Sequence, residues 1–415
     1  MDASRVRALA CFSLVRSTAT SPGGALTDYA APLTPRVRRR KPEATGAVAF
    51  VRRIDWVMLA AVAGLVAFGL WAIDGITRLD VPGDPQYYVF RQSIFTFIGT
   101  VGLVGALLVD PDYYRRYRKV IYALMIALLL VVMVLGANVR GSTRWIDLGF
   151  FRFQPSEFGK LLLALFLAGV LAERGRRIGE WRTTAVVLGL AAVPTFLVFM
   201  QPDIGTALVY TAILAAALFF AGTRWRDLGV LALIAAILGA TVLWLAPSLG
   251  VPILEQYQRD RITAFLDPTE NPQGAAYNIN QSITAVGAGG STGRGVAGAT
   301  QTNLDYLPEH HTDFVFASLA EQRGFAGVSV LLLLYLLLLW RGIRVIATAR
   351  DPFCATAAGA IVFGLLLQIF VNVGMTIGIA PITGIPLPFV SVGGSAMVTN
   401  LLAIGVLQAI AIRRR

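Results

Sequence analysis

The run Leu304-Asp305-Tyr306-Leu307-Pro308-Glu309-His310-His311-Thr312-Asp313-Phe314-Val315-Phe316 passes from polar to apolar residues and sets one carboxylate at the water-to-membrane edge. A carboxyl group partly desolvated beside phenylalanines has a raised pKa and can take a proton from a hydroxyl as a general base. The competing reading is structural: Thr312 or Asp313 caps the helix that begins at Phe314, as short polar residues commonly do. The chain has 2 histidines, His310 and His311. Adjacent and without a third nitrogen or thiolate ligand, they match no familiar zinc spacing, so no metal site is assigned.

A second set of polar residues begins Arg140-Gly141-Ser142-Thr143-Arg144-Trp145-Ile146-Asp147 and continues through Gln154-Pro155-Ser156 to Glu157 and Lys160. Proline and serine mark a helix start. Glu157 and Lys160 are three apart, hence on one helix face. They form a helix-capping ion pair, a polar position facing substrate, or both. Arg91, Arg140 and Arg144 add guanidinium groups on a side of the chain that is otherwise poor in basic residues. Guanidinium suits diphosphate, offering paired donors that cannot deprotonate, although a single such arginine is more often a snorkelling anchor. There is no P-loop, no Gly-x-Ser-x-Gly elbow and no dinucleotide fingerprint, which disfavours nucleotide-driven chemistry.

The elements that must position these groups are membrane spans. The 415 residues are 56% hydrophobic and only 14% charged, a balance that marks a polytopic membrane protein. The formal charge of +12 comes from short clusters between apolar spans, not from one basic face, and is a topology signal, with no nucleic acid as partner. Apolar stretches of about 16 to 25 residues, enough to cross a hydrocarbon core of ~30 Å, occur near 54–73, 91–109, 119–137, 157–172, 184–200, 204–221, 228–247, 324–347, 353–379 and 394–412. The clusters at 115–119, 174–182, 224–226, 341–350 and 413–415 fall in alternate connections, so both termini are expected in the cytoplasm. The expected fold is therefore an all-α polytopic membrane protein of ten transmembrane helices, with a long extracytoplasmic loop, 248–323, between helices 7 and 8. Loops of that length are usually functional or disordered; its Gly-rich centre and the apolar-patterned Tyr277–Val286 predict short interfacial helices. Residues 1–53 are expected to be a flexible basic cytoplasmic tail that can rest on anionic lipid headgroups. The 54–412 membrane domain follows it, and 413–415 close the chain in the cytoplasm. Cys11 and Cys354 have no pairing or metal-ligand spacing.

Taken together, several motifs resemble the SEDS family (shape, elongation, division and sporulation proteins). They are Arg144-Trp145-Ile146, Phe153-Gln154-Pro155-Ser156-Glu157-Phe158-Gly159-Lys160 and Gln201-Pro202-Asp203-Ile204-Gly205-Thr206. In the long loop come Arg261-Ile262, Phe265-Leu266-Asp267-Pro268, Tyr277-Asn278, Gln281-Ser282 and Leu307-Pro308-Glu309 with His311-Thr312-Asp313-Phe314. Thr383-Gly384-Ile385-Pro386-Leu387-Pro388-Phe389-Val390-Ser391 and Gly393-Gly394-Ser395 complete the set. The resemblance spans 54–412 and is nearer to the elongation branch than to the division branch. The long basic N-terminal extension and Glu321-Gln322-Arg323, where Glu-Glu-x is commoner, depart from the family pattern.

The resemblance implies a peptidoglycan glycosyltransferase of the bacterial inner membrane that polymerises lipid II for cell elongation and works with a class B penicillin-binding protein, the transpeptidase. Its active site is expected on the outer face, among membrane lipids. The family's essential aspartate falls on Asp313. Making a β-1,4 bond from an α-linked diphosphate inverts the anomeric carbon, so one displacement with one base suffices. Arg91, Arg140, Arg144 and Lys160 are the candidates to offset charge on the departing diphosphate, with Glu157 holding Lys160. Trp145 and Tyr277 are candidate sugar or lipid contacts against an interfacial-belt reading; Asp203 and Gln281 in the matched motifs are grouped with them. No cofactor is assigned, a divalent cation such as Mg2+ being the one accessory left open. The rival readings are a lipid flippase or transporter, with polar residues continuing through mid-membrane, and a non-catalytic scaffold.

Overall fold

The computed structural model describes residues 46–139, 142–147, 149, 151–241, 248, 256–266 and 274–413. The rest of the expected tail, Arg140, and Asp267-Pro268 lie outside the described residues. The last residues of that tail form a helix, α1 (Gly46–Arg53), with Arg52 and Arg53 exposed beside the first span.

Helices α2 (Trp56–Ile76), α3 (Tyr87–Leu108), the short α4 (Pro111–Arg116) and α5 (Arg118–Leu135) follow. Next come α6 (Pro155–Glu173), α7 (Trp181–Met200), α8 (Ile204–Ala221) and α9 (Trp225–Ala240). The long connection carries α10 (Gln256–Leu266), α11 (Ala275–Gly289), α12 (Gly295–Gly298) and α13 (Thr300–Asn303), in line with the helices expected there. The chain ends with α14 (Val315–Ala347), α15 (Pro352–Thr376) and α16 (Gly394–Ile412). Among the described residues, nine of these helices are long and apolar enough to cross a membrane. The seventh expected span is represented by α9, whose 16 described residues are fewer than the ~20 a crossing needs.

The helices start where the local chemistry allows. Asp55, Asp203 and Asp351 each accept an N–H from the first turn of α2, α8 and α15, and prolines stand at the first turns of α6 and α15. Between α5 and α6, where an outward loop is expected, three short strands form an antiparallel sheet. They are β1 (Ala137–Val139), β2 (Ser142–Asp147) and β3 (Arg152–Phe153), with Ala137 opposite Trp145 and Ile146 opposite Phe153. Helix α14 keeps the expected start of the eighth span at residue 324. Its backbone breaks at Gly324 (φ 64°, ψ −167°), so Val315–Arg323 is a separate helical piece where the loop is expected to end, and the span proper begins at the break.

Helices α6, α15 and α16 are largely buried at the centre, while α3, α5 and α7 turn most of their apolar surface outward. Phe90 and Phe97 on α3, Val134 on α5 and Leu333 and Leu336 on α14 are all more than half exposed. On a polytopic membrane protein such side chains face lipid. Close backbone approach brings the central helices together. A β-carbon on Gly405 of α16 would lie 2.4 Å from the carbonyl oxygen of Leu103 on α3, and one on Gly159 of α6 would strike the Tyr210 hydroxyl of α8.

The basic clusters gather at one end of the bundle, where Arg341 pairs with Asp55, Arg350 with Asp112 and Arg413 with Asp110. The opposite end holds the strands, the 201–203 turn, the segment before α14 and residues 377–393, tied together by the hydrogen bonds described next.

Candidate active site

Asp313 stands at that second end, just before α14. Phe314, not Asp313, occupies the N-cap position of this helix and makes no side-chain cap, so the carboxylate is not spent on capping. Its backbone is clamped from two elements. The Asn372 amide of α15 donates to the carbonyls of Asp313 (2.9 Å) and Ile385 (2.8 Å). The Ser391 hydroxyl donates to the Thr312 carbonyl (2.5 Å), and the Val392 N–H to that of His311 (3.0 Å). Gly384 lies beside both the carboxylate and the Arg261 guanidinium. It has a positive φ of 74°, and a β-carbon there would sit 3.5 Å from both Asp313 Oδ2 and Arg261 Nη1.

The surroundings push the Asp313 carboxyl up to about 6. Burial is the largest cause, the Glu309 charge adds to it, and the guanidinium groups of Arg261 and Arg144 pull the other way. A carboxylate so placed is largely ionised at neutral pH yet basic enough to accept a proton.

Arg144, on β2, is fixed onto the α7–α8 turn. It donates to the carbonyls of Gln201 (3.2 Å) and Pro202, and its Nη1 lies 3.8 Å from Asp203 Oδ1. Trp145 is half-buried with the Arg144 guanidinium 5.9 Å from its ring. Asp203 is buried and heavily occupied. Besides capping α8 through Thr206 N–H (3.1 Å), it accepts from the Gln154 amide (3.2 Å) and the Ser156 hydroxyl (3.5 Å). These bonds make it an anchor for the turn and the start of α6.

Glu157 and Lys160 form the ion pair that their spacing predicts. Lys160 Nζ lies 2.7 Å from Glu157 Oε2 and donates to Gln368 Oε1 of α15 at 2.7 Å, with side chains 3% and 7% exposed. The buried pair thereby braces α6 against α15. Arg91 donates to the Tyr87 hydroxyl and lines a groove with Asp84, Gln86, Phe90, Ile94 and Phe95. The opposite side of that helix turn reaches the site, because Gln92 donates to the Ser391 carbonyl (3.1 Å). Tyr277 and Gln281 lie a turn apart on α11, both half-buried.

Three groups at this end were not singled out in the sequence as site residues. Arg261 and Glu309 sit inside matched motifs but carry no separate signal of their own. Asn372 and Gln368 do have one: two amides four apart on an otherwise apolar helix mark an inward polar stripe. Asp80 gives no sequence signal, yet its carboxylate meets His310 at 3.0 Å and His311 at 3.4 Å. The adjacent histidines thus acquire the third ligand that their spacing lacks.

Residues 52–415 match the cell-cycle protein family that groups FtsW, RodA and SpoVE. Peptidoglycan glycosyltransferase MrdB of Escherichia coli K12 is 39% identical over 319 residues, 77% of this chain and 84% of that protein. Stage V sporulation protein E of Bacillus subtilis is 37% identical over 327 residues, 78% and 87% of the two chains. A probable peptidoglycan glycosyltransferase FtsW of Alkalilimnicola ehrlichii is 36% identical over 365 residues, 86% and 88%. Among solved structures, a chain of a peptidoglycan synthase complex that coordinates polymerization and crosslinking superimposes with a TM-score of 0.73 at 30% identity, covering 86% of this chain and 97% of that one. The rod-shape-determining protein RodA of Thermus thermophilus gives a TM-score of 0.65 at 26% identity over 87% and 97%. By its sequence, its helical bundle and the extent of both matches, this chain belongs to the FtsW/RodA/SpoVE family of membrane proteins, the SEDS family that its motifs resemble.

Proposed function

We infer that this chain is a peptidoglycan glycosyltransferase that polymerises lipid II by inverting β-1,4 transfer, with Asp313 as the base. The observation that carries this reading is the Asp313 carboxylate, held by its backbone, near Arg261 and Arg144 and away from any capping duty. In the reaction Asp313 takes the proton of the acceptor's 4-hydroxyl as that oxygen forms a bond to the donor's anomeric carbon. The bond from that carbon to the diphosphate breaks, and undecaprenyl diphosphate leaves with the electron pair. Arg144 and Arg261, whose charges act on Asp313, are the groups assigned to offset the developing negative charge, and preformed cationic groups are most effective where water is excluded. A divalent cation such as Mg2+ travelling with the diphosphate would serve the same offset.

The Asp313 end is assigned to the outer face of the cell membrane, because the basic clusters lie at the other end and cytoplasmic connections carry the excess of Lys and Arg. Both termini are then cytoplasmic. Elongation is favoured over division by the 39% identity to MrdB and the similarity to RodA. A class B penicillin-binding protein is the proposed partner, since a similar chain works in a complex that couples polymerization to crosslinking. The flippase reading needs a polar path across the bundle. Among the described residues, Lys160, Gln368, Thr399 and Asn400 line a space of ≈ 30 Å³, the scale of a single water.

The test is glycan-strand formation from purified lipid II by the purified protein with its transpeptidase, wild type against Asp313→Asn. Polymer from the wild type and a loss of at least ~10²-fold in the folded variant is the expected result. Equal polymer from both removes Asp313 as the base, and none from either overturns the polymerase reading.

A further inference from the structure

We propose that Asp80, His310 and His311 form a binding site for a zinc-type divalent metal ion, which staples the α2–α3 connection to the segment that carries Asp313. The candidate ligand atoms, one from each residue, all lie within 4.8 Å of one another. His310 Nε2 is 3.0 and 3.1 Å from the two Asp80 oxygens, and His311 Nδ1 is 3.4 Å from Asp80 Oδ2. Two ligands tetrahedrally disposed around zinc at 2.0–2.1 Å stand about 3.3 Å apart, so the two Asp80–histidine spacings already match, and the two histidine nitrogens, within 4.8 Å, would have to draw together by up to about 1.5 Å to close on an ion.

The surroundings are those of a built site. His310 is buried, and its other ring nitrogen, Nδ1, lies 3.2 Å from the Leu307 carbonyl. Each ring nitrogen of His310 therefore faces an acceptor, Nδ1 the Leu307 carbonyl and Nε2 the Asp80 carboxylate; a metal ion would take the place of the Nε2 proton while Nδ1–H donates to Leu307, the outer-shell arrangement common for metal-bound histidine. The His311 ring is packed against Tyr88 with centroids 4.6 Å apart, which limits its rotation. Two imidazoles and one carboxylate are a donor set that suits zinc and leaves a fourth position for water or an anionic oxygen. Asp80 and His310 are 230 residues apart in sequence, so an ion here would cross-link distant parts of the chain at the point where the catalytic segment begins. The role is structural, a clamp on 310–313, and it is read without turnover, so it stands or falls separately from the polymerase reading.

Both histidines of the chain are in this cluster, which makes the experiment clean. The full-length protein, purified in detergent without a polyhistidine tag and stripped with chelator, is titrated with Zn2+ by calorimetry and with Co2+ by visible absorption. Expected are one equivalent per chain, a d–d band of four-coordinate cobalt, and a Zn2+-dependent rise in melting temperature. His310→Gln and Asp80→Asn should each weaken binding by more than ~100-fold, beyond what loss of an outer-shell partner costs. If His310→Gln melts early without metal, the near-isosteric Asp80→Asn carries the comparison. No stoichiometric binding by the wild type, or binding unchanged in a folded variant, overturns the site and leaves an Asp–His ion pair. A thiolate-to-cobalt charge-transfer band would also overturn it by placing the ion on Cys11 or Cys354.

Discussion

Asp313 works against its surroundings, and the sign of that conflict is measurable. Its folded-state pKa of about 6 is raised above the ordinary carboxylate range, so its contribution to stability is greatest in acid and is lost as pH rises through about 6. The ionised form that is competent as a base is therefore the one the fold disfavours. With transition metal chelated, polymerisation rate should rise with pH and level off above about 6, while Asp313→Asn should melt no earlier than wild type at pH 7 or above. A variant that melts early there would contradict the assigned cost. Arg261→Gln removes one of the groups that lowers this pKa and should move the rate midpoint to higher pH, with Asn372 still holding the backbone. Much of this site is legible in sequence as residue types at an edge: Asp313, Arg144 and the Gln-Pro-Ser start of α6. What is not legible is which polar groups are spent on one another. The Glu157–Lys160 pair is the exception, given by its i,i+3 spacing, whereas the bond of Asp203 to Gln154, 49 residues away, is recognised only once helices pack.

At the scale of elements, the long connection is held onto the bundle by its contacts with the first part of α14. Glu321, fully buried, accepts the N–H groups of Gln301 (2.8 Å) and Thr302 (3.0 Å) and the Thr302 hydroxyl (2.8 Å). The Gly324 break completes the docking: the N–H groups of Phe325 and Ala326 donate to the carbonyls of Gly290 and Ser291. Gly324 has φ 64° and ψ −167°, a conformation open essentially to glycine, and a β-carbon there would lie 2.3 Å from Gly293 N. Gly324→Ala should therefore cost at least ~1–3 kcal/mol, lower the melting temperature, and expose the 287–303 segment to limited proteolysis; unchanged protease resistance would refute the docking argument. Apolar length is enough to place most spans to within a few residues, because burying an unpaired backbone in lipid is prohibitive. It does not reveal the break in α14, since Val315–Arg323 and the span after it are both helical and only the glycine's dihedral angles separate them. Nor does it reveal the β1–β3 sheet, whose strands of two to six residues are too short to show a period.

On the scale of the whole molecule, the first and last spans are locked together at the basic end. Asp55, 2% exposed at its side chain, receives the Arg341 guanidinium through Nε (2.9 Å) and Nη2 (2.5 Å), while Gln408 both accepts from the Asp55 N–H (3.0 Å) and donates to its carbonyl (2.9 Å). Arg341→Met would strand a buried carboxylate, and losing one partner of such a pair costs about 3–5 kcal/mol. It should lower the melting temperature in detergent, and adding Asp55→Asn should restore part of the loss. If the double variant is no better than the single, the arginine matters for its packing and not its charge.

That lock also sets an order in time. Asp55 is made 286 residues before Arg341 and 353 before Gln408, a delay of roughly 15–70 s at about 5–20 residues per second of synthesis. Throughout it the first span waits in the bilayer with its capping carboxylate unmatched, at the aqueous boundary where the charge is still hydrated. Closing the bundle is therefore among the last events of its biogenesis, and a chain arrested before α14 would leave the Asp55 carboxylate without its arginine.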